Sequence, residues 1–170
     1  LLSRGLGDVY KRQSRMSAEE KINELNLELP NAPKPMGVYK PIVFDGHLAY
    51  LSGHGPLRPD GTLVTGRIGE NMDLEDGYDA ARQTGLAMLS TLRSALGSLD
   101  RVKRVVKTLG FVNSAKDFLD QPKVINGCSE LFADVFGMDN GVGARSALPS
   151  NTLPGGIAVE IEMIVETYPE

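Results

Sequence analysis

Tryptophan is absent from this 170-residue chain, cysteine occurs once and histidine twice. Phe and Tyr together number ten, so any core must be built mainly from aliphatic side chains. A lone cysteine, Cys128, excludes an intramolecular disulfide and fits a reducing, cytoplasmic setting. His47 and His54 have no Cys or carboxylate partner at ligand spacing, so no metal site is read from the sequence. No apolar run approaches the roughly 20 residues needed to span a bilayer. Residues 1–15 lack an apolar stretch of signal-peptide type and show no helical or strand period. They are read as a non-native or disordered leader, with one domain over residues 16–170.

What is present suits a globular domain. Apolar residues make up 41% of the chain, and 18 basic residues face 22 acidic ones. Setting aside residues 1–15 leaves 14 basic against 21 acidic. So acidic a body argues against a surface that tracks nucleic-acid phosphates. Ser17-Ala18-Glu19-Glu20 is a capping-box pattern that opens a short helix through about Leu25. Pro30, Pro33 and Pro35 then interrupt regular structure. Val38–Phe44 and His47–Gly53 read as strands, with Asp45-Gly46 as the hairpin signal between them. A small strand is possible at Thr62–Thr65.

From Leu74 the period changes to three and four. Tyr78, Ala81, Gly85, Met88, Leu92, Leu96 and Leu99 define one face of a long helix. Val102–Asn113 is β-branched with period two, placing Val106, Thr108, Gly110 and Val112 on one face. Asp120 and Pro122 open a second helix, with Val124, Ile125, Cys128, Leu131 and Phe132 turned inward and Gly137 at its end. Arg145 falls in a polar, glycine-rich loop. Ile157–Thr167 alternates strictly, with Ile157, Val159, Ile161, Met163 and Val165 opposite Glu160, Glu162 and Glu166. The expected order is β-β-α-β-α-β. Right-handed crossovers place both helices on one face of a single sheet in this α+β fold. The face of Val106 and Val112, or its reverse, is too apolar to stay bare and is expected to meet a second copy of the chain.

That order resembles the RidA/YjgF family, also labelled L-PSP endoribonuclease. The residues that carry the likeness are Leu51-Ser52-Gly53-His54, Val105 to Val112, Ala144-Arg145-Ser146, Leu153-Pro154 and Val159-Glu160-Ile161-Glu162. The likeness covers about residues 36–168. The N-terminal helix and Gln121 to Gly127 resemble one subgroup. It implies a chorismate-mutase-like homotrimer with sites in clefts between subunits. It also implies cofactor-free hydrolysis of enamines and imines such as 2-aminoacrylate to 2-keto acids and ammonia, the 2-iminobutanoate/2-iminopropanoate deaminase reaction.

By the same likeness Arg145 binds the substrate carboxylate, for which its planar donor fork is well matched. Glu160 holds the attacking water and moves a proton. Tyr39, Ser52, Gly53 and Asn126 complete the substrate-binding set, with Tyr39 on the first strand closing the pocket. Read without the likeness, each has an ordinary structural role: a surface arginine, a solvated strand face, a strand tyrosine, a strand end, a helix hydrogen bond. The family's frequent cysteine two residues after the arginine is Ala147 here. That departure keeps a second reading open, a non-catalytic module that binds small carboxylates. A literal endoribonuclease is the third, with no histidine pair or aromatic base platform to support it.

Overall fold

The computed structural model describes residues 16–170. The leader assigned to residues 1–15 lies outside the described residues. Helix α1 spans Ala18–Glu24 and has the expected capping box, Ser17 Oγ accepting from the Glu20 amide. Strands β1 (Ile42–Asp45) and β2 (Leu48–His54) form an antiparallel hairpin. Its pairing of Asp45 with Leu48 makes Gly46-His47 the two-residue turn, one step beyond the expected Asp45-Gly46. Gly46 has φ 58°, which suits a turn with glycine at the first central position. The first strand is shorter than expected: residues 38–39 form bends, and Tyr39 lies ahead of β1 rather than on it.

Helix α2 spans Leu74–Leu96, capped by Asp73 at one end and by Gly97 at φ 82° at the other. Strand β3 covers Val102–Asn113, helix α3 covers Gln121–Phe136 and strand β5 covers Val159–Thr167. Between α3 and β5 lies an element absent from the sequence reading. Residues Ala144–Ser150 form strand β4, parallel to β3, so Arg145 stands on a strand and not in a loop. Thr62–Thr65 is no strand; Leu63 and Thr65 make isolated bridges to Leu57 and Ile157.

The sheet has five strands in the order β1-β2-β5-β3-β4. Helices α2 and α3 pack together on one face, closely enough that a Cβ on Gly127 would collide with the Tyr78 carbonyl. Gly110 serves the same end on β3, where a Cβ would sit 2.6 Å from Ile125 Cδ1. Between helices and sheet lies an aliphatic core of Met88, Leu89, Leu92, Val124, Ile125, Leu131, Val159 and Ile161, all essentially without exposure. A register shift between Val105 and Lys107 sends Val105 to this core in place of Val106. Thr108, Gly110 and Val112 follow on the helix side. The bare face is therefore the reverse of β3, with half-buried Leu109 and Phe111, continued by Val43 and Tyr50 at 50% and 41% exposure. No helix among the described residues is long and apolar enough to cross a membrane.

Candidate functional site

The candidate residues fall into two groups on opposite faces of the sheet. Glu160 pairs with Phe111 on β3 and so points to the bare face, away from Val159 and Ile161. Beside it the β2–β5 register shifts between Leu51 and His54. This bulge carries Ser52 and Gly53. A Cβ on Gly53 would stand 2.8 Å from Glu160 Oε2 and 2.9 Å from its Cδ. Glycine is thus what lets the carboxylate lie against the backbone of β2. Burial, and then the like charge of Glu162, push the Glu160 carboxyl above the usual carboxylate range.

The bulge is braced from beneath. His54, 4% exposed, sets Nδ1 2.6 Å from the Ser52 carbonyl and Nε2 2.8 Å from Thr91 Oγ1 on α2. The carbonyl can only accept, so Nδ1 carries the proton and Nε2 accepts from the threonine hydroxyl. Burial holds His54 below its ordinary pKa, and it is neutral. Ser52 itself donates through Oγ to the Lys40 carbonyl at 2.5 Å, and its amide donates to the Pro41 carbonyl at 3.0 Å. These bonds tie the bulge to the segment that carries Tyr39.

Glu160, Gly53, Ser52 and Tyr39 share a cavity of about 710 Å³. Two loop segments wall it. One is the short hairpin around Leu57 and Leu63, closed by Asp60 Oδ1, which accepts from the amide and hydroxyl of Thr62. The other is the proline-rich strap of residues 33–39, in which the Tyr39 hydroxyl accepts from the Met36 amide at 3.2 Å. The strap is anchored upstream. Ser90 Oγ donates to the Pro30 carbonyl, and Glu19 on α1 receives both Arg93 of α2 and the Leu99 amide.

Arg145 lies elsewhere. It pairs with Thr108, a residue of the helix face, and its Nη1 donates to Asn126 Oδ1 at 2.8 Å and Ser129 Oγ at 3.1 Å on α3. Arg145 and Asn126 therefore do come together, as a half-buried pair at the β4 edge. Ser129, a turn along α3 from Asn126, is a partner the sequence reading missed; its i+3 spacing from Asn126 was the available signal. Glu160 is two strands away and three residues further along the sheet, on the order of 14 Å between Cα positions for ordinary strand spacing. One copy of the chain does not bring Arg145 and Glu160 into contact. Ala147, on the Arg145 side of β4, packs against the core. Cys128 is fully buried, and burial pushes its thiol up to about 12, so it is no nucleophile. Among the described residues no three His, Cys, Asp or Glu side chains are grouped to hold a metal ion.

A five-stranded α+β sheet, helices on one face and a half-buried acid over a bulge on the other, defines a chorismate-mutase-like architecture. The family model described as "YjgF/chorismate mutase-like, putative endoribonuclease" matches residues 19–155. Protein TCP17 of Trypanosoma cruzi is 41% identical over 145 residues, which cover 85% of this chain and 91% of that protein. A crystal structure of a protein of unknown function from Agrobacterium tumefaciens superposes with a TM-score of 0.80 at 35% identity, covering 95% of this chain and 98% of that one. A Yersinia pestis protein of the conserved Rid family, also of unknown function, gives 0.58 at 30% identity over 82% and 96%. The chain belongs to the RidA/YjgF family. The matched residues include Tyr39, Ser52, Gly53, Asn126 and Arg145, and end just ahead of Glu160.

Proposed function

We propose that the protein hydrolyses small 2-imino acids, and the enamines that give rise to them, to 2-keto acids and ammonia without a cofactor, at sites shared between copies in a homotrimer. The observation that carries this reading is Glu160, a half-buried carboxylate laid over a glycine bulge in the lining of a concave cavity. A raised carboxyl gives up and takes back a proton closer to neutrality than a free one, as acid–base work requires. In the ionised state it draws a proton from water as the oxygen adds to the C=N carbon. It returns that proton to nitrogen to give the carbinolamine, then takes the proton of the new hydroxyl as the C=O forms and passes it to nitrogen as the C–N bond breaks and ammonia leaves.

The substrate carboxylate needs a cation, and Arg145 of the same copy is on the wrong face to supply it. Packing the bare face of one copy against the β4 edge of the next brings a second Arg145 to the Glu160 cavity. That arrangement would also cover Leu109, Phe111, Val43 and Tyr50. With Nη1 held by Asn126 and Ser129, the remaining guanidinium donors are oriented before any ligand arrives.

The test is an assay in which an amino-acid oxidase releases imine and semicarbazide competes for it. Faster keto acid release with the protein present, lost in Arg145→Ala, is the expected result. Uncatalysed rates would overturn the reading. Ala147 and the preset Arg145 favour one alternative, keto acid binding without turnover. Calorimetry showing Arg145-dependent binding by a protein inert in the assay would select it. A monomer by light scattering at assay concentrations would remove the shared site.

A further inference from the structure

Resting on the Proposed function reading, we infer that the cavity over Glu160 selects substrates whose side chain is apolar and larger than methyl, as in the imines derived from leucine, methionine or phenylalanine. The cavity, at about 710 Å³, is far larger than a three-carbon imino acid, which displaces a few water volumes of about 30 Å³ each. Its charged lining groups are two, Glu160 on β5 and Lys34 on the exposed strap. Much of the rest of the lining is apolar: Leu57 and Leu63 from the hairpin, Ile157 and Pro154 from the turn before β5, and Met36 from the strap.

These walls are built rather than incidental. Ile157 is buried, and Gly55 brings the backbone so close that a Cβ there would meet Ile157 Cδ1 at 3.1 Å and Leu63 Cδ2 at 3.4 Å. The Leu57–Leu63 bridge and the Asp60–Thr62 bonds hold the hairpin in shape. Leu63 and Met36 remain 38% and 90% exposed, apolar surface that an apolar ligand group would take out of water. With the reacting carbon over Glu160 and the carboxylate toward the arginine, the side chain has this space to fill. An acidic side chain would face Glu160 with like charge. Each methylene placed in such a pocket is worth about tenfold or more in kcat/KM.

The experiment has two arms. The oxidase-coupled assay is run with imines from alanine, leucine, phenylalanine and glutamate, and calorimetry is run with pyruvate and 4-methyl-2-oxopentanoate. Leucine- and phenylalanine-derived imines are expected to exceed the alanine-derived one at least tenfold in kcat/KM. The branched keto acid is expected to bind at least tenfold tighter than pyruvate. Leu63→Asp, at an exposed position, is expected to bring both ratios down to about one, with an unchanged melting temperature showing that the fold is kept. Equal handling of alanine and leucine imines, a preference for the glutamate imine, or ratios unmoved by Leu63→Asp would overturn the inference. Turnover absent while the binding preference persists would refute the deaminase reading and leave the apolar selectivity standing.

Discussion

Arg145 and Glu160 occupy opposite faces of one sheet and are held by opposite means. Arg145 is tied down: two hydrogen bonds from its Nη1 to α3 fix the guanidinium at the β4 edge. Glu160 is left unpaired: no hydrogen bond or ion pair to its carboxylate is found among the described residues, and only burial and Glu162 act on its proton affinity. A cation already satisfied on one side loses little freedom when it receives a carboxylate. A carboxylate without partners keeps its full capacity to hold water and move a proton. On the proposed reading, each group is prepared for half of a reaction, and the two halves meet only between copies. If the shared site is correct, damage to the two halves can be repaired by mixing them.

The largest effect expected is therefore from Arg145→Ala, a loss of about a hundredfold to a thousandfold in kcat/KM for imine hydrolysis, the cost of removing a charge-assisted fork. Glu160→Gln should be comparably inactive. Co-refolding the two inactive variants should restore about a quarter of the sites, since a site that draws Arg145 from one copy and Glu160 from another is intact in about that share of random pairings. No recovery on mixing would mean that both groups serve one copy's site, which would require the sheet geometry to change.

A smaller loss, about tenfold to a hundredfold in kcat, is expected from Gly53→Ala. The new Cβ would press on Glu160 at 2.8 Å, and the flexible carboxylate can swing aside, so folding should be nearly unaffected while the acid is misplaced. Unchanged kcat would show that Glu160 need not lie against the bulge. On the other half, Ser129→Ala removes one of the two bonds that preset Arg145. It is expected to raise KM about threefold to tenfold and leave kcat alone. An equal fall in kcat would make Ser129 more than an orienting group.

The same contrast explains what could be read from the residues. The long helix, α3 and β5 were legible because burial on one side imposes a period, and the period names the inward face. Strand β4 was not, because Ala144–Ser150 is a half-exposed edge strand in which Ala, Ser and Pro surround Arg145 and Leu148, with no apolar alternation to detect. Missing it turned Arg145 into a loop residue and hid its separation from Glu160. Alternation groups Val106 with Thr108, Gly110 and Val112, but the register shift between Val105 and Lys107 puts Val105 on that side instead, and a residue count runs straight through it. The walls of the Glu160 cavity come from loops anchored at distant points, Pro30 on Ser90 and Glu19 on Arg93, which no local pattern records.

The smallest effect sharpens the contrast most directly, because it concerns stability alone. Glu160 has its pKa raised in the folded protein, first by burial and then by Glu162. Between its unfolded value and the raised folded value, the folded chain binds more protons than the unfolded one, so stability falls as pH rises through that window. Above the window the cost of holding the charge is constant. Glu160→Gln carries no such cost. Its melting temperature should match the parent's below about pH 4, near the reference value for a glutamate. It should then rise above the parent's as pH increases and stay higher at pH 7. Glu19 and Glu166, whose ion pairs lower their pKa values, act in the opposite direction, losing their contribution as pH falls. They are common to both proteins and cancel in the difference. Thermal melts across pH 3.5 to 7.5 read the comparison. A variant less stable than the parent at pH 7 would mean that the carboxylate is paired after all, and the contrast with Arg145 would fail.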